Sequence, residues 1–129
     1  ILGTVSQSGG IPTGAIIESG SNANGRYIKY ADGTMICTTT KSTYISTLLG
    51  PYNFTVINYG VAVWNWPVAF VAVPVMEYCL VCGWSYAFKL NAEYLTATSF
   101  GNFHLSNVWN DSLAPGDVAV QVTGIGRWF

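Results

Sequence analysis

The chain has 129 residues, of which 9% are charged, 50% hydrophobic and 15% aromatic, with a formal net charge of −1. The length fits one domain with a core of its own, and the near-neutral balance excludes an electrostatic footprint for nucleic acid or anionic lipid. A typical soluble protein carries roughly 25% charged residues, so an isolated monomer would expose much uncharged surface, which points to a second surface buried in an oligomer.

Membrane insertion is not expected. The longest apolar run, Val61 to Met76, is broken by Asn65, Pro67 and Pro74 and is too short to span as a helix. A transmembrane barrel needs about eight strands of roughly ten residues with aromatic girdles, more than the sequence offers. Beginning at Ile1, the chain reads as a fragment or processed product whose true N-terminus lies upstream.

Taken in order, residues 1–14 are rich in Gly and Ser and carry no period long enough to pack, so they read as a linker from something upstream. Residues 15–129 form the predicted domain. Ala15 to Ser19 is a first short strand, followed by the turn-rich Gly20-Ser21-Asn22-Ala23-Asn24-Gly25. A hairpin comes next, with Asp32-Gly33 suited to a two-residue type I′ turn. That turn would set Tyr30 opposite Met35, Lys29 opposite Ile36 and Ile28 opposite Cys37. One face would carry Ile28, Tyr30, Met35 and Cys37 toward the core. The other would carry Tyr27, Lys29, Thr34, Ile36 and Thr38 toward a neighbouring protomer.

Lys41 to Leu49 reads as irregular or a short extra strand, and Phe54 to Trp64 as a strand broken near Gly60. Pro67 and Pro74 bracket Val68 to Val73, which should be an edge or a packed connection because proline cannot donate to a ladder. Val75 to Trp84 is the longest clean strand. Met76, Tyr78, Leu80, Cys82 and Trp84 share one face and Val75, Glu77, Cys79, Val81 and Gly83 the other, so it should have core on one side and a partner chain, or another sheet, on the other. Tyr94 to Ser99 and Phe103 to Trp109 read as strands joined by Phe100-Gly101-Asn102. Asn110 to Gly116 is a loop, and Asp117 to Val122 a strand with Val118, Val120 and Val122 inward. Gly124 and Gly126 permit a bend before Arg127-Trp128-Phe129. No segment has helical period, and strands at this spacing indicate an all-β, antiparallel β-sandwich.

Catalytic chemistry finds little support. His104, the one histidine, lies outward if Phe103, Leu105 and Trp109 face in. No G-x-S-x-G elbow exists, and the six carboxylates show no pairing in sequence. Cys37, Cys79 and Cys82 read as buried free thiols, because residues three apart on a strand face opposite ways. No enzyme, metal or cofactor is expected. Glu77, on an otherwise apolar face, reads as paired across an interface with Arg26, Lys29 or Arg127.

The remaining signal is aromatic residues beside small polar ones: Trp64 and Trp66, Trp84 and Tyr86, His104, and Trp109 with Asn110 and Asp111. Flat rings next to amides and carboxylates suit carbohydrate, whose C–H faces stack and whose hydroxyls hydrogen-bond. These eight residues are the candidate ligand contacts, with core packing as the competing reading of each tryptophan. Tyr27, Lys29, Ile36, Glu77 and Arg127 are the candidate oligomer contacts.

Three stretches resemble the C-terminal domain of phage and prophage tail fibres. They are IPTGAIIESGSNANGRYIKYADGTMICT (residues 11–38), Trp66-Pro67 with Phe70 and Pro74-Val75, and the terminal Gly124-Ile125-Gly126-Arg127-Trp128-Phe129. The resemblance implies a fold similar to H-type lectins. It implies a homotrimer at the distal end of a virion tail fibre, attached to an upstream shaft, that binds a bacterial surface polysaccharide or outer-membrane receptor. The G-S-N-A-N-G motif is architectural in that family, so it implies no ligand role for Ser21 to Asn24. The alternatives are a purely structural trimerisation or capping domain and, third, a glycan depolymerase.

Overall fold

The computed structural model describes residues 1–45, 54–57, 64–82, 88–107 and 116–129. The described residues contain no helix. Among them, eleven strands run in chain order: β1 (Gln7–Ser8), β2 (Ile11–Pro12), β3 (Ile17–Asn22), β4 (Gly25–Tyr30), β5 (Thr34–Ile45), β6 (Phe54–Ile57), β7 (Trp64–Asn65), β8 (Val75–Cys82), β9 (Phe88–Leu95), β10 (Ser99–Asn107) and β11 (Gly116–Arg127). They form a five-stranded sheet in the order β3-β4-β5-β11-β8, a four-stranded sheet centred on β10, and the small β1-β2 pair. All named pairings are antiparallel.

The two larger sheets share one core. Met35 and Cys37 of β5 and Val120 and Val122 of β11 meet Phe100 and Phe103 of β10, with Trp66 and Phe70 between them. The inward faces of β8 and β11 arise from strict alternation: Met76, Tyr78, Val120 and Val122 point in, while Val75, Glu77 and Cys79 stay exposed. Among the described residues, no second sheet of this chain covers the other face of β8.

The hairpin between β4 and β5 departs from its expected register by one residue. Lys29 stands opposite Met35, Ile28 opposite Ile36 and Tyr27 opposite Cys37. The turn is longer than two residues: Gly33 N donates to Tyr30 O at 3.1 Å, and Gly33 takes φ +93°. The turn thus spans Tyr30 to Gly33 and closes on a left-handed glycine. Asp32 Oδ1 accepts from Thr34 N at 2.8 Å, and these hydrogen bonds from Thr34 hold the carboxyl below its usual range. A slip of one residue exchanges the faces of β4. Tyr27 and Lys29 therefore join Met35 and Cys37 on the inner side, and Ile28 goes out with Ile36.

Other boundaries also move. Lys41 continues β5 rather than ending it, giving one strand of 12 residues. Phe100-Gly101-Asn102 is not a junction but part of β10, and the turn falls at Thr96 to Thr98, where Thr96 N donates to Ser99 O. Gly124 and Gly126 bend nothing, since β11 pairs without interruption from Gly116 to Arg127. Their role is close approach. A Cβ on Gly124 would lie 2.7 Å from the Trp66 ring, and one on Gly126 2.8 Å from the Phe70 ring.

Val68 to Val73 is the packed connection that its flanking prolines imply. Trp66 N and Phe70 N donate to Thr98 O and Ala97 O, and Val71 N donates to Arg127 O, so the segment ties both sheets together. Residues 1–14, expected to be a linker, carry the β1-β2 hairpin and are bonded to β3 and the residues leading into it. Gly3 N donates to Ile17 O, Ala15 N to Thr4 O, and Val5 N to Glu18 Oε2. Val5 is buried. Backbone hydrogen bonding, not apolar periodicity, orders this segment.

Candidate functional site

The thiols divide between the two faces of the large sheet. Cys37 is buried and reaches Val68 O at 3.8 Å, and burial pushes its pKa up to about 11. Cys79, expected to be buried, is exposed beside Gln121. Cys79 and Gln121 project from the outer face, where no layer among the described residues covers the apolar strand that carries Cys79. A maleimide at pH 8 should modify Cys79 in the native chain and reach Cys37 only after unfolding, as peptide mass spectrometry would read. A raised folded pKa means stability that is intact below the unfolded value of 9.0 and is lost as pH rises toward about 11. Alkaline melts should fall across that window, and a Cys37→Ala variant should flatten the fall.

The two tryptophans among the described candidate contacts belong to the core. Trp66 is buried, its ring 4.3 Å from Phe100 and edge-on to Phe70 at 5.5 Å, with Nε1 donating to Thr96 O. Trp64 is half-buried and packs 6.0 Å from Phe100 and 5.9 Å from Phe103. They fill the space between the sheets instead of presenting a stacking surface. His104 occupies a register position between Val56 of β6 and Asn91 of β9. Trp84, Tyr86, Trp109, Asn110 and Asp111 lie outside the described residues.

The candidate interface residues separate in the same way. Tyr27 and Lys29 are engaged within their own chain: Lys29 Nζ is 3.9 Å from Glu18 Oε1 and lies over the Tyr27 and Trp128 rings, while Tyr27 donates to Glu18. Arg127 braces the turn, donating to Asp32 O at 3.0 Å and Phe129 O at 3.2 Å. Trp128 adds to this clamp, with Nε1 donating to Tyr30 O and its backbone N to Gly33 O. The terminal motif and the Asp32-Gly33 turn are thus two halves of one structural lock. Ile36 and Glu77 do face outward. Neither Lys29 nor Arg127 is left for Glu77.

The outer face of the five-stranded sheet is organised in rows across the strands. Ile28, Ile36, Ile125 and Val75 align in one row over β4, β5, β11 and β8. Val75 is 69% exposed and Ile125 45%, so this row is an apolar band open to solvent. The next row is Arg26, Thr38, Thr123 and Glu77, and beyond it come Thr40, Gln121 and Cys79.

A groove of about 490 Å³ opens at this polar end. It exists because β4 begins at Gly25 while β5 runs on to Ile45, so the sheet steps down along the far half of β5. Asn22, Ala23 and Gly25 form its wall, with Thr38 to Lys41 and Gln121 to Thr123 lining the rest, and Arg26 at its side. The wall is fixed in place: Asn22 Nδ2 donates to Pro67 O and its Oδ1 accepts from Asn24 N. Gly25, at φ +135°, sits so close to the Thr38 carbonyl that a Cβ would collide with it. These contacts agree with an architectural role for the G-S-N-A-N-G motif. Sequence reasoning does not find the groove, although the outward alternation of Thr38, Thr40 and Gln121 is its signal.

No family model matches the chain, and neither does any curated protein. Two solved structures do. One is a P. aeruginosa R1 pyocin fibre fragment comprising C-terminal residues, with TM-score 0.56 and 16% identity over 82% of this chain. The other is an N-truncated R1-type pyocin tail fibre, with TM-score 0.58 and 14% identity over 88% of this chain. The chain spans 27% of the first and 87% of the second. The two-sheet antiparallel architecture of this chain is therefore similar in fold to R1-type pyocin tail fibre fragments.

Proposed function

We propose that this chain is a tail-fibre domain that recognises a bacterial cell surface, binding a glycan or protein receptor without catalysis. The carrying observation is the fold shared with R1-type pyocin tail fibre fragments, reached by a sequence whose motifs resemble tail-fibre C-terminal domains in the same order. A site at the distal end of the virion fibre, on an upstream shaft, goes with that reading. So does an H-type-lectin-like mode of recognition. The recognition proposed uses hydroxyls, amides and cations.

The same reading includes a homotrimer. Its support is the apolar row Ile28, Ile36, Ile125 and Val75 on a chain with 9% charged residues. Three copies per fibre would turn weak individual sites into firm attachment through effective concentration. A fluorescent fusion of the full chain, applied to a panel of bacterial strains, tests recognition directly. Labelling of a subset of strains is expected. Absence of labelling across the panel would favour the second reading, a structural cap built on the same apolar row.

A further inference from the structure

The groove beside β5 carries a charge pattern that narrows what it would hold. Its two ionisable lining residues are Arg26 and Lys41, both cationic, and no carboxylate lines it. Arg26 belongs to the outer row with Thr38, while Lys41 stands opposite Val120 on the other face, so the two flank the free edge of β5 from its two sides. Among the described residues, no ion pair or hydrogen-bonding partner engages either side chain. That is unusual in this chain, where Lys29 and Arg127 are both held by their own neighbours. Glu77 shares the Arg26 row, but three strand spacings away, about 14 Å. The lining also includes Thr38, Thr39, Thr40, Thr123 and Gln121, which offer hydroxyls and an amide in an open groove.

We infer that this groove binds an anionic saccharide, with Arg26 and Lys41 receiving its carboxylates or phosphates at separate places along the edge of β5 and the threonines and Gln121 receiving its hydroxyls. The inference rests on the receptor-binding reading above and names the ligand class and the site. Two cations without internal partners favour an anion, because hydrogen bonds to charged groups are the strong ones. A row of hydroxyl and amide groups favours a polyhydroxylated ligand over a bare ion. An acidic peptide would use the same cations and leave the threonines idle.

Titrating the ¹⁵N-labelled full chain separates these cases. The probes are galacturonic acid trimer, mannose 6-phosphate, neutral maltotriose and tri-glutamate. Shifts confined to Asn22–Arg26, Thr38–Lys41 and Gln121–Thr123 are expected with either or both acidic sugars, and the two arms distinguish carboxylate from phosphate. Maltotriose should produce none, and tri-glutamate should bind more weakly than the sugars. In an Arg26→Gln/Lys41→Gln variant the affinity should fall at least about tenfold, with the amide spectrum elsewhere unchanged. No shift with either acidic sugar, shifts outside the groove, equal binding by maltotriose or tri-glutamate, or an affinity unmoved by the double substitution would each overturn the assignment. If the double variant labels cells as strongly as the parent chain, the groove assignment falls and receptor binding stands. If the parent chain labels none, the receptor-binding reading falls instead.

Discussion

Replacing Trp66 with alanine is expected to cost about 3–5 kcal/mol of folding stability, read as a lowered midpoint in urea unfolding. The side chain is 3% exposed and touches both sheets. It contacts Phe100 and Phe70, holds Thr96 O through Nε1, and covers the bare backbone of Gly124. A domain of this size has only about 5–15 kcal/mol of stability in total, so the variant would sit near unfolding at moderate temperature. The same contact supplies an internal check. Gly124→Ala places a Cβ 2.7 Å from the Trp66 ring, and overpacking of this kind costs about 1–3 kcal/mol. In the Trp66→Ala background that Cβ has room, so the second substitution should be close to neutral. Additive costs would show that ring and glycine are not coupled. A glycan-stacking role for Trp66 predicts the opposite pattern, with little lost stability and lost adsorption.

Legibility in the sequence depends on which contacts are local. The inner faces of β8 and β11 are legible because alternation alone decides them, and Met76, Tyr78, Val120 and Val122 obey it. The face of β4 is not. Asp32-Gly33 is compatible with a two-residue or a longer turn, and the difference of one residue moves Tyr27 and Lys29 from outside to inside. Settling it takes Arg127 at the far end of the chain, which donates to Asp32 O. Gly124 and Gly126 show the same limit, since a missing side chain signals a bend or a close approach equally. The rings that decide between them, Trp66 and Phe70, lie far away in sequence. Aromatic residues flanked by polar ones resemble sugar contacts, but composition cannot say whether a ring faces another sheet or solvent. The groove is hidden for a further reason. Arg26 and Lys41 line one groove only because β4 stops short of the full length of β5.

The outer face yields the second large effect, on assembly rather than on folding. Ile125→Glu should leave the stability of a single chain within about 0.5 kcal/mol, because the side chain is already 45% exposed. If the row Ile28, Ile36, Ile125 and Val75 packs against a neighbouring copy, however, the substitution buries an unpaired carboxylate at each contact. Breaking up a buried environment with one uncompensated charge costs about 3–5 kcal/mol, and a closed ring bears that cost at every interface. Sedimentation should therefore show the parent chain at three times 13.9 kDa and the Ile125→Glu chain at 13.9 kDa. Ile36→Glu in the same row should behave alike, whereas Thr40→Glu, two rows along on the polar side of that face, should remain associated. A parent chain that sediments as a stable folded monomer would remove the trimer from the proposal. Dissociation by Thr40→Glu but not Ile125→Glu would move the interface onto the polar rows, and with it would close the groove.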